Sequence, residues 1–256
     1  MKAFSNLLSD LILTSSRNRK LSLLEQYFSS TPDPDRGYAL AALTGSLNFK
    51  NIKASFFKNL IKEKQDEHLF DLSYDYVGDL AETISLLWDQ EKGGNMPRLS
   101  SLFENLKKAK NDELKNHIIN ILNISTADQR WAFIKLFTGG LRIGVSSRLV
   151  KQALANYGNV DLEEIEKIWH GLHFPYTNLF SWLENKGGKP KISIYDIFHP
   201  MMLAHPLVME KDLAAANPKD FVAEYKWDGI RVQIVSHSGG CRLYSRLSLI
   251  HISEPT

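Results

Sequence analysis

From Met1 to about Asn185 the apolar residues recur at helical spacing, and this periodicity constrains the fold more than any other feature. Val77, Leu80, Ala81, Ile84, Leu87 and Trp88 show it best, all falling on one helical face. A strand would need a period of two, so this part is expected to be all helix, with about ten helices packed on one another. Thr31–Gly37 (T-P-D-P-D-R-G), Gly93–Pro97 and Thr138–Gly140 interrupt the pattern as turns, and Ser101 with Glu104 has the spacing of a capping box.

The texture changes after Lys186. K-G-G-K-P-K, short apolar groups and two His-Pro pairs suit a linker over 186–200 rather than a helix. Beyond it, Phe221–Trp227, Ile230–Val235 and Arg242–Arg246 are short β-rich runs, separated by the hairpin signals Asp228-Gly229 and Ser238-Gly239-Gly240. The reading is therefore multidomain, with an all-α domain over 1–185 and the start of an α+β domain over 201–246. The last ten residues, Leu247–Thr256, break the pattern. They match the translation of a transposon end and adaptor used in sequencing libraries, so they are expected to be a non-native tail.

Composition narrows the class without choosing a partner. A net charge of +2 is too small to imply a polyanion by itself. One cysteine, Cys241, excludes an internal disulfide framework and fits a reducing compartment, the cytoplasm by default. No apolar run approaches the roughly 18 residues of a membrane span, so no membrane attachment is expected. His170 and His173 sit one turn apart without a Cys or carboxylate at matching spacing, and a structural role is expected for them and for Trp88, Trp131 and Trp169.

The chemistry concentrates in Glu224–Arg231, E-Y-K-W-D-G-I-R, which holds the Lys-x-Asp-Gly-x-Arg signature of covalent nucleotidyltransferases. Lys226 is the candidate nucleophile. A lysine attacks phosphorus only as the neutral amine, which requires partial burial or a nearby cation. If the run is a strand, Glu224 and Lys226, two apart, face one pocket, Asp228-Gly229 turns the chain, and Arg231 returns to grip a ribose or phosphate oxygen. The plain alternative is an ordinary solvated hairpin.

In the helical part, Arg130, Lys135, Arg142, Arg148 and Lys151 accompany a single acid between Asp128 and Lys151, with Gly139, Gly140 and Gly144 among them. Glycines admit a sugar-phosphate strand close to the backbone, and helix N-termini offer N–H groups to it; a solvated basic face would have the same composition. A second run, Lys50, Lys53, Lys58, Lys62 and Lys64, is interleaved with acids and reads as a solvated face.

Five stretches together carry a resemblance: T-P-D-P-D-R-G-Y-A-L-A-A-L-T-G from Thr31, L-F-D-L-S-Y-D-Y-V-G-D-L-A-E-T from Leu69, T-G-G-L-R-I-G-V-S from Thr138, H-P-M-M-L-A from His199, and E-Y-K-W-D-G-I-R. The chain resembles the N-terminal part of bacterial ATP-dependent DNA ligases that carry a helical DNA-binding domain ahead of an ATP-grasp-like nucleotidyltransferase domain. The resemblance implies that Lys226 takes AMP from ATP, that Glu224 reads the adenine, and that Arg231 and Arg246 contact nucleotide or nick phosphate. It further implies Mg2+ as cofactor, nicked double-stranded DNA as substrate, a monomer, and sequence-blind DNA contact through Gly139, Gly140, Arg142, Gly144 and Arg148. Leu247 and Ser248 depart from the family pattern after Ser245-Arg246, and the downstream motifs are absent, so the chain is expected to be a fragment unable to ligate. An RNA ligase or capping enzyme would share the lysine chemistry, and a non-catalytic DNA-binding module would share the helical part.

Overall fold

The computed structural model describes residues 1–47, 52–89, 94–138, 140–199, 206–222, 224–225, 227–229, 232–237, 240–245 and 251–252. The chain divides into two compact units, one formed by Met1–Leu162 with His173–Pro190, the other by Glu163–Leu172 with Lys191–Thr256.

Twelve α-helices precede residue 184 among the described residues: α1 Lys2–Leu13, α2 Arg17–Ser30, α3 Asp35–Leu43, α4 Ala54–Lys62, α5 Glu67–Val77, α6 Leu80–Leu87, α7 Leu99–Lys108, α8 Asn111–Ile124, α9 Ala127–Lys135, α10 Ser147–Gly158, α11 Leu162–Ile168 and α12 Thr177–Leu183. Their starts are written locally. Ser16, Asp66, Asp79 and Ser146 each accept a hydrogen bond from the backbone N–H three residues on, and Thr126 with Gln129 forms a capping box. Gly78, at φ +74°, ends α5 and splits the apolar run that the periodicity joined from Val77 to Trp88. α7 begins differently from expectation. Ser101 and Glu104 make no capping box; the Asp35 carboxylate accepts from the Ser100 N–H at 3.0 Å, while Glu104 accepts from the Tyr38 hydroxyl at 2.5 Å.

The first unit closes over Phe4, Leu8 and Leu11 of α1, Leu24 and Phe28 of α2, Leu40 of α3, Val150 and Leu154 of α10 and Phe180 of α12, all essentially inaccessible. Each such side chain contributes about 1.5–3 kcal/mol by leaving water. α2 packs on α10, α6 on α9, and α1 on both α2 and α9.

In the second unit, β1 (Val232–His237) and β2 (Gly240–Ser245) form an antiparallel hairpin with Val232 opposite Ser245 and His237 opposite Gly240, as the Ser238-Gly239-Gly240 signal predicts. A third strand, β3 (His251–Ile252), pairs with β2, so two residues of the expected foreign tail join the sheet. Backbone pairing is indifferent to the origin of a sequence. A short helix, α13 (Met209–Ala215), and a 3-10 turn at Pro218–Asp220 precede the hairpin. Residues 163–172 belong here rather than with the helices before them, a departure from the sequence-based boundary. Lys167 O accepts from Phe198 N at 3.2 Å, the His170 ring lies 5.5 Å from Phe198 and 4.9 Å from buried Tyr244, and Gly171 leaves no room for a Cβ beside Ile192. Arg242 closes the unit with an ion pair to Asp196 at 2.7 Å.

Candidate nucleotide and DNA sites

Lys226, Arg231 and Arg246 lie outside the described residues. Glu224 and Asp228 are exposed, and Tyr225 and Trp227 are 88% and 85% exposed, their rings tilted to each other with centroids 6.4 Å apart. The expected strand over Phe221–Trp227 is absent among the described residues, and with it the hairpin at Asp228-Gly229. A strand requires a ladder partner, and β1 has a described partner, β2, on one side alone.

The basic region of the helical unit separates into two populations that composition could not distinguish. Arg130 is buried and donates to the carbonyls of Ser125 at 3.1 Å, Ser85 at 2.9 Å and Trp88, capping the end of α6; burial lowers its pKa. Lys135 is buried in an ion pair with Asp79, and Lys151 is buried as well. These three cations serve the core. Arg142 and Arg148 are exposed, as are Gly140 and Gly144; Gly139 lies outside the described residues.

The exposed group sits on the segment that leads into α10. Leu141 and Ile143 are buried, alternating with exposed Gly140, Arg142 and Gly144, so the loop is stapled at every second residue. Three of its residues have positive φ: Gly140 at +107°, Arg142 at +50° and Gly144 at +65°. Arginine rarely adopts this region, so tertiary contacts must hold it there. One of them is Lys20 of α2, a residue that sequence reasoning missed. Its ammonium reaches Gly144 O at 2.9 Å and Ile143 O at 3.3 Å, and a Cβ on Gly144 would lie 2.6 Å from it. No local signal marks this lysine; its partners lie over 120 residues away.

The stretch Thr31–Gly37 is an internal pin. Arg36 is buried and pairs with Asp33 at 2.8 Å and with Glu184, donates to Phe28 O at 3.3 Å, and stacks 4.2 Å over the Phe180 ring. Its hydrogen bond to Glu184, followed by that of Lys186, pulls the Glu184 carboxyl down to about 2. Burial opposes ionisation of Asp35, but the Ser100 hydroxyl and N–H and Arg98 outweigh it and lower its pKa. Gly37 approaches Pro175 O so closely that a Cβ would stand 1.8 Å from it.

The second basic run behaves as a solvated face: Lys62 pairs with Glu67 at 2.7 Å and Asp71 at 3.1 Å, Lys58 covers Tyr74 and Lys64 covers Trp88, while Lys50 is outside the described residues. Trp88 is core, donating to Asn123 at 2.9 Å, whereas Trp131 and Trp169 are half-buried. Among the described residues no group of three or more His, Cys, Asp or Glu is placed to hold a metal. No helix among them is long and apolar enough to cross a membrane.

Residues 1–155 match the family described as "DNA ligase N terminus" and residues 201–250 the one described as "ATP dependent DNA ligase domain". The second match runs four residues past Arg246. The chain is 23% identical over 248 residues to a probable DNA ligase of Koribacter versatilis, covering 91% of this chain and 42% of that relative. It is 23% identical over 253 residues to a DNA ligase of Methanococcus maripaludis, covering 93% and 43%. A third relative, a DNA ligase of Methanosphaerula palustris, is 30% identical over 126 residues, covering 48% and 22%. The chain spans less than half the length of these curated relatives.

Proposed function

Because this chain belongs to the ATP-dependent DNA ligase family, we propose that it forms the DNA-holding and nucleotide-capturing front of an enzyme that seals nicks in duplex DNA. In this reading the neutral Lys226 amine attacks the α-phosphorus of ATP. An N–P bond forms, the bond to the β-phosphate breaks, pyrophosphate leaves with the electron pair, and the amine proton goes to solvent. AMP then passes to the 5′-phosphate at the nick and is displaced by the 3′-hydroxyl. Glu224 reads the adenine, and Arg231 and Arg246 steady the nucleotide or nick phosphate.

The observation that carries the DNA half of this reading is the loop of residues 140–146. Three of its residues, Gly140, Arg142 and Gly144, have positive φ, two of its carbonyls are engaged by Lys20, and it presents Arg142 and, at the start of α10, Arg148 to solvent. That combination suits a sugar-phosphate strand: small residues allow close approach, the arginines supply charge, and inward carbonyls remove acceptors that would repel phosphate.

The experiment is a salt titration of this chain on labelled nicked duplex DNA. Replacing Arg142 and Arg148 together with Ala is expected to weaken binding and to lower the slope of log K against log salt by about 2, with the melting midpoint unchanged. Wild-type affinity in the double variant, or no binding by the wild-type chain at low salt, would remove the DNA assignment.

A further inference from the structure

α5 and α6 form a hairpin whose outer face is not that of a finished surface. Phe70 is the one residue of α5 that is buried among the described residues, although the helix also carries Leu69, Leu72, Tyr76 and Val77. Leu69, Leu72 and Tyr76 recur at one-turn spacing and are 48%, 57% and 92% exposed; Leu86 of α6 is 65% exposed. Between the two helices runs a groove of about 340 Å³, lined by Leu72, Tyr76, Val77, Leu86 and Leu87 with two hydroxyl side chains. A contiguous apolar groove of this kind marks a place where another molecule is received.

Charge selects the occupant. From Asp66 to Asp89 there are seven Asp and Glu and no Lys or Arg, in a chain whose overall charge is +2; Lys62 answers Glu67 and Asp71, and Lys135 answers Asp79, so the charge of the rim rests on Asp75, Glu82 and Asp89. Glu82 precedes Leu86 by one turn on α6, Asp89 stands just past the end of that helix, and Asp75 follows Leu72 on α5; all three acids are exposed. Such a rim repels a nucleic acid strand and an anionic lipid surface, and it repels a second copy of itself across a two-fold interface. It attracts a partner of the opposite sign. The groove between two helices is shaped for a third, which would insert apolar side chains at one-turn intervals and set basic residues against the rim. We propose that the α5–α6 groove is a docking site for an amphipathic, basic-flanked helix of a protein partner, acting apart from the DNA-facing loop.

The test uses the whole chain and a synthetic helical peptide of about four turns, with Leu at i, i+3, i+4 and i+7 and Lys flanking them, beside a twin carrying Glu in place of Lys. The basic peptide is expected to bind at least about tenfold more tightly than its twin, and to weaken as salt rises. Leu86→Ser and Tyr76→Ser, both at exposed positions, should each weaken it about fivefold or more while leaving the melting midpoint in place. Equal binding of the two peptides, or wild-type binding by both variants, would overturn the proposal. So would a dimer in sedimentation that Leu86→Ser dissolves, which would make a second copy the occupant. Hydrogen exchange offers the last outcome: if the basic peptide leaves the α5 and α6 amides as unprotected as in the free chain, it binds elsewhere and the proposal fails.

Discussion

Thr31–Gly37 and Glu224–Arg231 look alike as sequence, each a short charged run with a glycine and both acids and an arginine, yet they stand in opposite physical states. In the first, Arg36 is inaccessible and every charge it carries is answered by Asp33, Glu184, a carbonyl or a ring face. In the second, Glu224, Tyr225, Trp227 and Asp228 all face solvent. The difference teaches that a dense charged motif can be a structural pin, complete once its unit folds, or can leave its described side chains in water. Density of charge does not separate the two; burial does.

The largest expected effect breaks the pin. Arg36→Met leaves Asp33 and Glu184 without their shared cation and should cost about 3–5 kcal/mol, read from urea unfolding. Adding Asp33→Asn and Glu184→Gln to it should recover part of that loss, because unanswered charge, rather than lost packing, dominates the cost. If Arg36→Met alone is nearly silent, the network is ornamental and the contrast with Glu224–Arg231 disappears.

Acid should loosen the same pin by a smaller amount. The Glu184 carboxyl sits at about 2 instead of the ordinary 4.5, so its contribution is complete above pH 4.5 and is lost as pH falls toward 2. Over that window the first unit should lose about 1–3 kcal/mol through this group. Asp35 and Asp79, also lowered, titrate in the same direction, so Glu184→Gln should flatten the pH profile without abolishing it. A profile identical in the variant would show that Arg36 does not hold this carboxylate in solution.

Legibility followed the range of the forces involved. The helical texture and the β1–β2 hairpin depend on neighbours a few positions apart, and they could be read directly; the one cap read from spacing, Ser101 with Glu104, did not form. Asp35 starting α7, Lys20 bracing the 143–144 carbonyls, and residues 163–172 joining the second unit depend on partners brought together only by folding. The basic cluster shows the limit most clearly. Arg130 and Lys135 belong to the core and Arg142 and Arg148 to the surface, although nothing in their local sequence distinguishes them. The glycines at 140 and 144 were informative because positive φ restricts residue type; Arg142 shares that conformation and gave no such sign. At Glu224 the strand expected from the spacing is absent among the described residues, since a ladder needs a second chain segment.

The smallest effect should come from the second run, and its smallness is what makes it decisive. Trp227 is large enough that burial of its ring would be worth several kcal/mol, so Trp227→Ser in a packed pocket would cost about 3 kcal/mol or more. At 85% exposure, with Tyr225 its one described ring neighbour, the change should stay within about 0.5 kcal/mol in urea unfolding, with no shift in the folded baseline of tryptophan-independent circular dichroism. A cost near that of Arg36→Met would mean that Glu224–Arg231 is already enclosed in this chain. The two motifs would then be physical equals, and the organised pocket that a neutral Lys226 amine requires would have to be sought within these 256 residues.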